Sequence, residues 1–158
     1  MQQLSVPSLV ERVPQMSGAE IAASLVPPRQ FAHATLENYR PDPDYPSQAA
    51  AVKKVRAFVA AWNGSGGGLF SRRKGPEPKP GLYLDGGFGV GKTHLLAALW
   101  KLAPGRKYFG TFIEYTALVG ALGYAATIKL LKGASLLAID EFELDDPGDT
   151  MIMSRLLG

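Results

Sequence analysis

The chain has 158 residues, 46% of them hydrophobic and 20% charged, with a net charge of +3 and a pI near 9.2. This suits one globular domain of ordinary composition, and the charge is too mild to argue for nucleic acid. With no cysteine and two histidines, His33 and His94, the chain lacks the material for a disulfide framework, a Cys-ligated metal, a His-built metal site or a Ser-His-Asp triad; a reducing cytoplasm is the default compartment.

The N-terminus, MQQLSVPSLVERVPQMSG, lacks a basic region followed by an apolar core, so it reads as neither a signal nor a transit peptide. No apolar run approaches the roughly 18 residues of a membrane span. Residues 1–45 read as an N-terminal lead-in. Within them Ser17-Gly18-Ala19-Glu20 fits a capping box that opens a short helix over Ile21 to Leu25, ended by Pro27-Pro28. Pro41, Pro43 and Pro46 then keep the chain extended. From Ser47, a candidate cap, Val52, Val55, Val59 and Trp62 recur at helical spacing until Asn63-Gly64 stops them. Residues 64–81 form a Gly- and Pro-rich flexible connector carrying Arg72-Arg73-Lys74, which reads as a solvated basic cluster.

Beyond Gly81 the pattern alternates. Leu82-Tyr83-Leu84, Thr111-Phe112-Ile113 and Leu136-Leu137-Ala138-Ile139 are short apolar runs, as parallel strands buried on both faces require. Helical faces lie between them: Leu95, Leu96, Leu99 and Trp100, then Leu118, Val119 and Leu122 before Gly123. Pro147 opens a last helix with Ile152, Met153, Leu156 and Leu157 on one face, and Asp146 before it fits an N-cap. Strand-helix alternation predicts an α/β fold, a parallel sheet with flanking helices.

Gly86-Gly87-Phe88-Gly89-Val90-Gly91-Lys92-Thr93 matches G-x-x-x-x-G-K-S/T in full, after an apolar strand and before an apolar-faced helix. Glycines let successive backbone N–H groups turn inward on a phosphate, aided by the positive end of the following helix. Lys92 can span the β- and γ-phosphates and stabilise charge developing there, and the Thr93 hydroxyl suits Mg²⁺. His94 follows directly; it is kept among the cofactor-binding candidates, although its place in the first helical turn favours packing or capping. Asp140-Glu141 ends the third apolar run at its carboxyl end, where an open parallel sheet binds ligands. Asp140 is the second candidate for Mg²⁺, and Glu141 is the candidate base that orients and deprotonates an attacking water. Lys92 and Glu141 are thus the catalytic candidates. Glu143, Asp145 and Asp149 continue the acidity.

The guanine-specific N-K-x-D and the L-S-G-G-Q signature of transporter ATPases are both missing. The segments GLYLDGGFGVGKTHLLAAL and LLAIDEFELDDPGDTMIMSRLL resemble the family of AAA+-like P-loop ATPases that includes the bacterial cell-division ATPase ZapE and the mitochondrial AFG-type ATPases. The likeness runs from Phe31 to Gly158 and is most specific around Asp140-Glu141-Phe142 and Arg155-Leu156. It implies ATP as substrate, Mg²⁺ as cofactor and work on a protein partner, the division protein FtsZ for ZapE-like members. It leaves peripheral membrane association and oligomerisation open. A rival resemblance is to helicase loaders, DNA-associated ATPases with a similar G-V-G-K-T-H loop. In the AAA+ strand order 5-1-4-3-2 only strands one to three can be found here. The sequence is therefore expected to be the N-terminal part of an ATPase domain (46–158), aggregation-prone and a poor enzyme alone, or a nucleotide-binding fragment without turnover.

Overall fold

The computed structural model describes residues 16–64, 81–87, 89–143 and 147–157. Readings of Arg72-Arg73-Lys74, Phe88, Asp145 and the Asp146 cap lie outside these residues, as does most of the 64–81 connector.

The first helix, α1 (Gly18–Ser24), is opened by the capping box legible in the sequence. The Ser17 hydroxyl accepts from the Glu20 N–H, and the Glu20 carboxylate accepts from the Ser17 N–H, which holds its pKa below the usual carboxylate value. The chain leaves α1 at Leu25, passes through one 3-10 turn (Arg29–Phe31) and several bends, and enters α2 (Pro46–Gly64). This helix starts at Pro46, so Ser47 lies inside the first turn rather than capping it. Proline suits that position because its missing N–H would find no intrahelical acceptor there.

After the segment 81–87 come α3 (Lys92–Leu102), β1 (Lys107–Thr111), α4 (Phe112–Leu122), α5 (Tyr124–Leu131), β2 (Leu136–Asp140) and α6 (Pro147–Leu157). Strands β1 and β2 pair in parallel, from Lys107 opposite Leu136 to Thr111 opposite Asp140. Period-two alternation sends Tyr108, Leu137 and Ile139 to one face, where they pack with Leu25, Tyr115 and Leu118. Phe109, Ala138 and Leu136 face the other way, against Ala97, Leu96 and Trp100 of α3. Helix α3 thus serves two cores: its Leu95, Ala98 and Leu99 pack with Val55 of α2 and Leu36. The expected α2 face of Val52, Val55, Val59 and Trp62 is the one in that cluster, with Val55 fully buried. Burial of a side chain of this size is worth about 1.5–3 kcal/mol relative to exposure.

The sequence predicts three strands; among the described residues two form. Leu82 and Leu84 turn inward onto the α2–α3 cluster, but Tyr83 is 74% exposed and residues 81–87 join no ladder. Hydrophobic alternation alone does not make a strand without a neighbour to accept its hydrogen bonds. The strand expected around Thr111-Phe112-Ile113 also lies earlier, at Lys107–Thr111. Thr111 and Glu114 form a capping box that starts α4 at Phe112, with the Thr111 N–H on the Glu114 carboxylate at 2.7 Å. Helix α5 was not foreseen: Gly123 ends α4 and at once becomes the entry to α5.

Tyr115 is wholly buried, with its hydroxyl donating to the Ala138 carbonyl at 3.0 Å. Burial, reinforced by nearby Glu114, pushes this phenol well above its ordinary pKa of 10.0. A raised folded-state pKa gives stability that is complete below the unfolded value and lost as pH climbs toward the folded one. Between about pH 7 and pH 9.5 the melting temperature followed by circular dichroism should therefore owe no change to Tyr115, and above about pH 10 it should fall. A Tyr115→Phe variant should lose less over the same rise; an identical alkaline decline in both proteins would exclude Tyr115 as the cause.

Candidate functional site

Helix α3 is entered through Gly91, whose φ of 84° lies in the left-handed region, as does the 75° of Gly89. Side-chain-bearing residues avoid this region, so the turn that swings the chain into α3 depends on these glycines. No side chain caps α3, leaving its first N–H groups without a side-chain acceptor. Lys92, the first helical residue, donates its ammonium to the Gly86 carbonyl, closing the loop on itself. The Asp85 carboxylate accepts the Gly86 N–H at 2.8 Å.

The Thr93 hydroxyl donates to Oδ2 of Asp140 at 2.8 Å. The two groups are 47 residues apart and come from the start of α3 and the end of β2. Asp140 is 8% exposed, whereas Glu141 is exposed and has a φ of 50°, the one positive φ outside glycine among the described residues. Such a conformation costs on the order of 1–3 kcal/mol and clusters at functional sites. The Glu141 carbonyl accepts the Glu143 N–H at 2.9 Å, and Phe142 sets its ring edge-on to Phe112, centroids 5.9 Å apart. Thr93, Asp140 and Glu141 line a cleft of about 440 Å³ with Thr111, Glu114 and Phe31. Glu114 is a cleft residue that motif reading missed; its T-x-x-E capping pattern was the signal available.

A second cavity of about 320 Å³ lies between Gly89, Val90 and Gly91 of the loop, Asn38 and Arg40 of the lead-in, and Gln48 of α2. His94 lines it. Its Nε2 lies 2.8 Å from the Thr35 carbonyl and must carry the proton, since a carbonyl only accepts. This agrees with a packing role for His94. Tyr39 is the second tie: its hydroxyl donates to the Val90 carbonyl at 2.6 Å and its ring meets His94 edge-on.

Among the described residues no group of three or more His, Asp or Glu side chains is arranged to hold a metal. Thr93 and Asp140 offer a hydroxyl and a carboxylate, both hard oxygen donors. They suit Mg²⁺, which takes one or two protein oxygens and completes its shell with water and phosphate oxygens.

A parallel two-stranded sheet flanked by helices, with a glycine turn opening the helix packed on it, is an α/β arrangement compatible with a partial P-loop NTPase fold. The family model for AFG1-like ATPases matches residues 16–158, and the chain belongs to that family. Members are nucleotide-binding ATPases, which implies use of ATP, typically with Mg²⁺. No curated protein and no solved structure matches the chain. Among the described residues no helix is long and apolar enough to cross a membrane.

Proposed function

We propose that residues 86–93 hold the phosphates of ATP and that Asp140 and Glu141 support its hydrolysis. The observation that carries this is the 2.8 Å bond from Thr93 to Asp140, which joins the glycine-rich loop to the acidic end of β2. Lys92 leaves the Gly86 carbonyl to bridge the β- and γ-phosphates. The Thr93 hydroxyl and the Asp140 carboxylate would hold Mg²⁺, which would neutralise phosphate charge. Glu141, exposed on the cleft wall, orients the attacking water and accepts its proton. Residues 1–45 serve as a lead-in to an ATPase unit over 46–158. Resemblance to the cell-division ATPase ZapE supports cytoplasmic work on a protein partner, with FtsZ the first to examine.

The discriminating variant is Glu141→Gln, which keeps the side chain's size and removes the base. Labelled ATP should still bind, while phosphate release falls by about 10²-fold or more, the usual size of a general-base contribution. Hydrolysis at the parent rate would remove Glu141 from the mechanism. Asp140→Asn should instead abolish the Mg²⁺ dependence of binding.

A further inference from the structure

The Val90 carbonyl is held by a residue 51 positions upstream. The Tyr39 hydroxyl donates to it at 2.6 Å, a direct side-chain bond to the loop from outside it. None of the described peptide bonds is cis. In a planar trans peptide the carbonyl and the following N–H point in opposite directions. With the Val90 carbonyl held toward Tyr39, the Gly91 N–H of the same peptide plane is directed away from it.

Tyr39 also encloses this peptide sterically. A Cβ placed on Gly91 would lie 2.5 Å from Cε2 of the Tyr39 ring. The ring is half-buried, and its burial raises the phenol pKa above the ordinary value, so the hydroxyl remains a donor across the neutral range. The lead-in is fixed independently of this bond by His94 on the Thr35 carbonyl and by Lys101 on the Ala34 carbonyl at 3.0 Å. Removing the Tyr39 hydroxyl therefore frees one peptide without detaching the segment that carries it.

In a loop that binds phosphate through amides, a carbonyl turned inward repels the anion and withdraws the donor of its own peptide. We propose that Tyr39 is a positioning residue for the phosphate loop: by holding the Val90 carbonyl toward the lead-in, it sets the Gly91 N–H to face a phosphate. This rests on the reading of residues 86–93 as a nucleotide-phosphate site. Tyr39 need not touch the nucleotide; it acts through the Val90–Gly91 peptide.

The test compares ATP, ADP and inorganic tripolyphosphate, each with magnesium, by titration calorimetry on the 158-residue chain and its Tyr39→Phe and Lys92→Ala variants. Tyr39→Phe should weaken all three ligands about three- to tenfold, the loss of one hydrogen bond, with KM raised more than kcat is lowered. Unchanged affinity for tripolyphosphate in Tyr39→Phe would overturn the proposal, whether or not ATP binding changed, because the effect would then lie at the base or nowhere. If Lys92→Ala also bound as the parent does, the phosphate-site reading itself would fail; if only Tyr39→Phe did, the positioning role alone would fail. A measurement on the unmodified chain supports this independently of mutant folding. The Gly91 amide resonance should shift on tripolyphosphate addition, and a stationary Gly91 amide would overturn the proposal.

Discussion

Lys92→Ala should bind ATP about 10- to 100-fold more weakly than the parent chain, the usual cost of deleting one charge-assisted hydrogen bond to a phosphate. Melting temperature should be nearly unchanged. The ammonium's partner is the carbonyl of Gly86, an exposed loop residue, so truncation orphans no buried group. That separation of effects makes the variant informative: lost binding cannot be attributed to lost structure. Lys92→Arg should rescue little, because a planar guanidinium at the first residue of α3 cannot reproduce a compact ammonium within a closed glycine turn. Filter binding of labelled ATP alongside a thermal melt checks both halves. An alanine variant within twofold of the parent affinity would end the phosphate-site reading.

Gly91→Ala is the second large effect, and it acts on fold and site together. At a φ of 84° an L-residue carries about 1–2 kcal/mol of strain. The new methyl must also displace the Tyr39 ring, which cannot yield and still keep its bond to Val90. Stability should fall by about 2–3 kcal/mol, within the usual range for strain plus overpacking. Nucleotide affinity should fall further than in Tyr39→Phe, since strain and the freed peptide add. A double-mutant cycle separates the two contributions. Adding Tyr39→Leu to Gly91→Ala should recover the steric part of the stability loss and none of the strain. Strict additivity of the two substitutions, measured by chemical denaturation, would mean that ring and glycine do not meet.

What the sequence disclosed and what it hid follow from the range of the interactions involved. The glycine turn, Lys92, Thr93 and the acidic end of β2 are local patterns, and Thr93 and Asp140 meet in a 2.8 Å bond. The α1 capping box was equally local. The same signal at Thr111 and Glu114 is masked by the apolar run Thr111-Phe112-Ile113, which reads as a strand and so shifts the expected boundary between β1 and α4. Helix α5 was hidden by reading Gly123 only as a stop, when with a φ of 78° it both ends one helix and turns the chain into the next. Leu82-Tyr83-Leu84 has a strand's alternation, but pairing belongs to the neighbour as much as to the segment. Tyr39 could not be singled out at all: a lone tyrosine among prolines carries no motif, and its partner is 51 residues away. The positive φ of Glu141 was likewise invisible, since glutamate is not a residue expected there.

The residues that feed the glycine turn are held by the inward side chains of Leu82 and Leu84 and, among the described residues, by no ladder. Amides at 81–85 should accordingly exchange with solvent deuterium sooner than those of β2, and slow down when nucleotide is added. Were the turn receptive in only a fraction of molecules, a measured dissociation constant would be the intrinsic constant divided by that fraction. Whatever supplies hydrogen-bond partners along 81–85, another stretch of polypeptide or a neighbouring molecule, would tighten nucleotide capture without touching the nucleotide.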